Sequence, residues 1–197
     1  VQAIDDDAVR AALGPLAGVT LVWREAGPGS FVLPGEALVT VHGVASLPDD
    51  AADAIRDAFV IGSQRTPESD VGFGVRQLVD MGLKALSPGI IDVTTAVMVV
   101  NELGVLAHEL CEHGVPDGPW RVLDGDGPPY AVRVLDLDTY LDLAFGEIVA
   151  AAGDHPRVHR RILELLDALE AQHGGATSRI LERHAQRIGV ELSRHAA

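Results

Sequence analysis

The run His108-Glu109-Leu110-Cys111-Glu112-His113 packs imidazole, thiol and carboxylate groups into one short stretch. Together those groups suit zinc. On a helix, residues three and four apart share a face, so His108, Cys111 and Glu112 align while His113 points elsewhere. The run is not H-E-x-x-H, because Glu112 occupies the place of the second histidine. Cys111 also continues an apolar stripe through Gly104 and Ala107, as a buried structural cysteine does. No metal is expected.

Asp124-Gly-Asp-Gly127 imitates the start of a calcium loop, but Pro128 and Pro129 follow where a further oxygen ligand and a glycine should stand. A hairpin turn accounts for it. Gly29-x-x-Val32-x-x-Gly35-x-x-Leu38 resembles half of a lipoyl-type barrel, with glycines at the tight turns. Such carriers need a lysine at a hairpin tip, and Lys84 is the sole lysine of the chain. No cofactor is expected. G-x-S-x-G, P-loop, dinucleotide and Cys-x-x-Cys patterns are all absent, so no catalytic residue is assigned. His184 falls on the inner face of the last helix, where packing or a buried hydrogen bond suits it.

The densest polar stretch lies between Ile61 and Thr95, with Arg65, Glu68, Asp70, Arg76, Asp80, Lys84, Ser87, Asp92, Thr94 and Thr95. Arg76, Asp80 and Lys84 follow at i+4 steps, an ion-pair ladder on one helix face. Gly72, Gly74 and Gly82 on the same helix suggest close backbone approach, and charges buried there must be paired. The plain reading of the ladder is a solvated face worth well under ~1 kcal/mol per pair. Two further expectations stand beside it. Arg76 and Asp80 join Arg65 and Asp92 in a buried network, or Arg65, Arg76, Asp80, Ser87, Asp92, Thr94 and Thr95 line a ligand site. Asp92 also has a plainer role as a helix N-cap.

The elements that carry these residues follow from periodicity. A short helix is expected over Asp5–Leu13, opened by the acidic run Asp5-Asp-Asp7. Strands follow at Val19–Arg24, around Phe31 and Val32, and at Ala37–His42. Helices are expected over Asp49–Val60, Asp70–Leu86 and Asp92–Glu112, with a loop from Ser63 to Ser69. A hairpin pairs Trp120–Leu123 with Tyr130–Val134, and three helices finish the chain at Asp138–Ala152, Pro156–Gln172 and Ser178–Arg194. The fold class is therefore α+β, mostly α. Residues 1–46 form a short helix plus a small β element with a lipoyl-like hairpin. Residues 47–197 form a helical bundle with an extra hairpin near 119–135, the whole reading as one compact unit.

Bulk properties narrow the partners. The chain has 197 residues, 47% of them hydrophobic but only 4% aromatic, so the core is built from Ala, Val, Leu and Ile. A formal net charge of −14 repels phosphate backbones and anionic lipid, arguing against nucleic-acid and direct lipid binding. The lone Cys111 excludes an internal disulfide and points to a reducing compartment. No secretory signal is visible. No membrane span is expected, since the apolar run Ala96–Val100 stops at Asn101 and Glu102. The first residue is Val1 rather than Met, as in a piece of a longer chain.

Arg65-Thr66, Gly72-Phe-Gly-Val-Arg-Gln-Leu-Val-Asp80 and Ala85-Leu-Ser-Pro-Gly-Ile90, continuing through Asp92, Thr94, Thr95 and Ala96, resemble the signature of a bacterial family of predicted membrane proteins, domain of unknown function 2254. The likeness extends to Val1–Asp5, Gly29–Leu38 and Tyr140–Phe145. It implies about four membrane helices N-terminal to this part, with Val1–Asp5 where the last of them ends. The partner is then the membrane-embedded part of the same polypeptide, and the location the cytoplasmic face of the cell membrane. A homo-oligomer is left open. The family pattern reads Asn-Asp-Pro where this chain has Ile91-Asp92-Val93. A domain that regulates, senses for or assembles the membrane part is the first expectation, and a small-molecule-binding or enzymatic domain around Arg76, Asp80 and Asp92 the second.

Overall fold

The computed structural model of the chain describes residues 1–65, 70–113, 118–123, 125 and 127–195. Residues 66–69, 114–117, 124, 126 and 196–197 lie outside that description, and with them Thr66 and Glu68 of the polar stretch and both carboxylates of the calcium-like turn. The chain divides into two units. One comprises Val1–Phe73 and Gly118–Val134, the other Gly74–Asp117 and Leu135–Ala197.

The first unit holds β1 (Ala3–Ile4), α1 (Asp6–Leu13), β2 (Leu21–Arg24), β3 (Val39–His42), α2 (Asp49–Asp57), β4 (Phe59–Val60), β5 (Trp120–Leu123) and β6 (Tyr130–Arg133). Its main sheet runs β3-β2-β6-β5, with β2 antiparallel to β3 and parallel to β6. The expected hairpin forms with Val122 opposite Ala131, and the two expected strands β2 and β3 pair directly, with Trp23 opposite Thr40. The expected strand at Phe31 and Val32 does not form. Both edges of β2 are already taken, and Phe31 is 85% exposed. Nor does the helix reach Val60, because Phe59 and Val60 pair with Ile4 and Ala3 instead. The hairpin expected as an appendage of the bundle belongs with the N-terminal strands, since β6 takes its parallel partner from β2.

Strand alternation turns Val22 and Arg24 to the inner face of β2, where they are 1% and 7% exposed. The arginine therefore enters a core of Val9, Leu13, Val22, Ile55, Phe59 and Val132 and needs a counter-ion. Asp6 of α1 supplies it, with one carboxylate oxygen 2.6 Å from Nη1. The same carboxylate accepts the Tyr130 hydroxyl at 2.7 Å. Burial above all, with Asp6 adding to it, pushes the Tyr130 phenol well above its ordinary value. Asp5, one residue earlier, is the N-cap of α1 and accepts from the Ala8 amide at 2.9 Å.

The second unit is helical. It carries most of α3 (Val71–Leu86), then α4 (Val93–Glu112), α5 (Leu137–Ala152), α6 (Pro156–Gln172) and α7 (Gly175–His195). Val79, Val100, Leu103, Tyr140, Ile148, Ile162 and Leu181 are among its fully buried side chains, and the Tyr140 hydroxyl donates to the Leu103 carbonyl at 2.5 Å. A Cβ on Gly104 would lie 2.8 Å from Leu165, so α4 and α6 approach closely there. Of the three α3 glycines, only Gly82 has the close approach expected of all of them. A Cβ there would meet Ile148 at 3.2 Å, whereas Gly74 faces open space.

Length and composition alone make α4 long and apolar enough to cross a membrane, contrary to expectation. Its inner side packs into the bundle through Ala96, Val100, Leu103 and Ala107, while Glu102, Glu109 and Glu112 are exposed. His184 of α7 is buried and bonds Asp138 of α5 at 2.7 Å, the role expected for it. That hydrogen bond first, with Arg183 beside it, holds the Asp138 carboxyl below its ordinary range.

Candidate functional site

The i+4 spacing on α3 brings Arg76 and Asp80 together at 2.6 Å, and Glu147 of α5 closes on the other side of the guanidinium. The Glu147 bond first, then Asp80, raises the arginine above its ordinary value. The group is a surface triad. Asp80 is 58% and Glu147 57% exposed, with Arg76 between them at 32%. Neither Arg65 nor Asp92 bonds to it, so the expected four-membered buried network does not form. Its premise was burial imposed by the α3 glycines, and Gly82, the one in close contact, lies on the buried face opposite Asp80. Asp80→Ala is therefore expected to change stability by less than about 1 kcal/mol in a thermal melt. A loss of about 3–5 kcal/mol would restore the buried network.

Arg65 sits in the first unit. Its Nε bonds the buried carboxylate of Asp70 at 2.6 Å, and its guanidinium lies 5.1 Å from the centre of the Phe73 ring. The second Asp70 oxygen accepts from the Phe73 amide at 2.9 Å. Gly29 turns at φ +82°, and a side chain there would collide with the Asp70 carboxylate. Arg65 also lines a cavity of about 390 Å3 with Gly29, Ser30 and Ile61.

Ser87, Asp92, Thr94 and Thr95 belong to the turn between α3 and α4. Ser87 donates its hydroxyl back to the Lys84 carbonyl at 2.7 Å. Asp92 is the N-cap of α4 and accepts both the amide and the hydroxyl of Thr95, at 3.0 and 2.5 Å. The hydroxyl bond is the larger cause holding its carboxyl below the ordinary range. Thr94 is exposed. Ser87, Asp92 and Thr95 are thus engaged in closing a helix–helix turn.

That turn also holds Ile91 at φ +48°, a left-handed conformation that a β-branched side chain adopts under strain. Asn is the residue that tolerates the conformation best after glycine. Ile91 is 50% exposed, so little packing is lost on replacing it. Ile91→Asn is expected to raise the unfolding free energy by about 1 kcal/mol in urea melts. A destabilisation would contradict the strain. Val93 stands at the first helical position, the place that proline suits best.

One cluster escaped the spacing. His108 and Glu112 share a face of α4, and His173 at the end of α6 joins them, all three offering donor atoms within 4.8 Å of one another. Cys111 points into the core, and burial pushes its thiol up. His113 turns away and contacts the Glu109 carbonyl at 2.8 Å. Two of the three donors were visible as an i, i+4 pair, but nothing in the sequence signalled His173.

Residues 1–168 match the family described as predicted membrane protein (DUF2254). Uncharacterised proteins of Mycobacterium bovis and of two Mycobacterium tuberculosis strains are 35% identical to the chain over 112 residues. The matched stretch is 55% of this chain and 21% of each relative, so the match spans about a fifth of their length. No solved structure matches the chain. With 168 residues matched from Val1 onward, the chain belongs to this family of predicted membrane proteins.

Proposed function

We propose that the chain is a water-exposed domain on the cytoplasmic face of a membrane protein, serving to regulate, sense for or assemble the membrane-embedded part of the same polypeptide. The observation that carries the reading is the Arg76–Asp80–Glu147 triad. The polar signature that would have to build a ligand site is instead an outward, mutually paired surface and a capped turn. Such a face suits docking and orientation better than chemistry. The family's description and the small share of each relative that is matched support a membrane-embedded part elsewhere in the polypeptide. A net charge of −14 supports keeping the domain clear of anionic lipid. The alternative ligand site at Arg76, Asp80 and Asp92 has less support, because each of the three already has a protein partner.

The test uses the full-length polypeptide carrying either green fluorescent protein or alkaline phosphatase at its C-terminus. Fluorescence with silent phosphatase is expected. Active phosphatase would place the domain on the other side of the membrane and overturn the reading.

A further inference from the structure

We infer that His108, Glu112 and His173 form a binding site for a divalent transition-metal ion of the zinc class, with one coordination position left open to water. Their donor atoms already lie within 4.8 Å of one another. Tetrahedral zinc with bonds of about 2.0–2.1 Å holds its donors roughly 3.3 Å apart, so side-chain rotation alone brings the group to bonding distance. The backbone is arranged for it. His108 and Glu112 are one helical turn apart on α4, and at His173 the chain leaves α6 in an extended conformation, φ −124° and ψ 153°.

A second observation points at a ligand. Nε2 of His173 is buried without a hydrogen-bond partner, and the side chain as a whole is 14% exposed. The Glu112 carboxylate faces it from 3.8 Å, beyond hydrogen-bond length, and the His108 ring centre lies 6.2 Å from its own. A buried imidazole nitrogen aimed at a carboxylate and a second imidazole, bonded to neither, is what a cation between them would satisfy.

Two imidazoles and a carboxylate favour zinc, cobalt or nickel over copper(I), which prefers sulfur, and over magnesium or calcium, which prefer oxygen. Three protein donors leave a fourth position, and Glu112, 56% exposed, lies on the solvent side. The inference does not depend on the membrane reading.

The test uses the 197-residue chain, purified without a metal-affinity tag, stripped with chelator and titrated with Zn(II) alone. About one zinc per chain is expected, with His108→Gln and His173→Gln each weakening it more than tenfold and His113→Gln leaving it unchanged. The absence of stoichiometric zinc, wild-type affinity in His173→Gln, or an equal loss in His113→Gln overturns the site. Should the His173 variant fail to fold, Co(II) added to the unaltered chain decides. An intense tetrahedral visible spectrum supports the site, and a pale six-coordinate spectrum or none overturns it.

Discussion

Asp6→Ala is expected to lower the unfolding free energy of the N-terminal unit by about 3 kcal/mol, although Asp6 reads in the sequence as one of three interchangeable acidic residues opening a helix. Strand alternation commits Arg24 to the inner face of β2, where its side chain is 8% exposed and its Nε has no hydrogen-bond partner. Nη1 is satisfied through both oxygens of Asp6. Removing that carboxylate strands a buried guanidinium and the Tyr130 hydroxyl together. The readout is clean, because Trp23 and Trp120 are the only tryptophans of the chain, and they stack at 5.1 Å in this unit's sheet. Urea melts followed by tryptophan fluorescence thus report this unit. Asp6→Leu combined with Arg24→Met should recover most of the loss, since an apolar pair of similar volume needs no counter-ion. A loss below about 1 kcal/mol for Asp6→Ala would show that water reaches the arginine.

In the helical unit, Ile148→Ala is expected to cost about 3 kcal/mol, and adding Gly82→Ala should return about 1 kcal/mol of it. Ile148 is fully buried on α5 and its Cδ1 would stand 3.2 Å from a Cβ at position 82, with Val99 at 3.4 Å. In the unaltered protein the new methyl is squeezed, which offsets the roughly 1 kcal/mol that alanine gains over glycine in a helix. Once Ile148 is shortened, the same methyl enters the vacated space and the gain in propensity remains. Helix circular dichroism of the four proteins yields the coupling, expected near 1 kcal/mol. Costs that add to within about 0.5 kcal/mol would mean that α3 and α5 relax freely and that Gly82 is not there to admit Ile148.

Local chemistry was enough to locate most elements. The 3.6-residue period marked α4 to α6 to within a residue at most ends, and Asp92 was legible as a cap because its carboxylate acts on an amide three residues on. The hairpin β5–β6 was legible for the same reason, its strands lying close in the chain, while β2 and β3 were legible as strands but not as partners. The family was legible too, through the signature from Arg65 to Ala96. Everything that joins residues distant in the chain was not. The parallel pairing of β2 with β6, the Asp6–Arg24–Tyr130 group, the Arg76–Glu147 pair and the meeting of His108 and Glu112 with His173 leave no periodic trace. Even for the Arg76–Asp80 pair, correctly read from its spacing, the sequence left the depth open between a solvated face and a buried network. A spacing of four places two charges on one helix face, but only the packing of α3 against its neighbours decides whether that face meets protein or water.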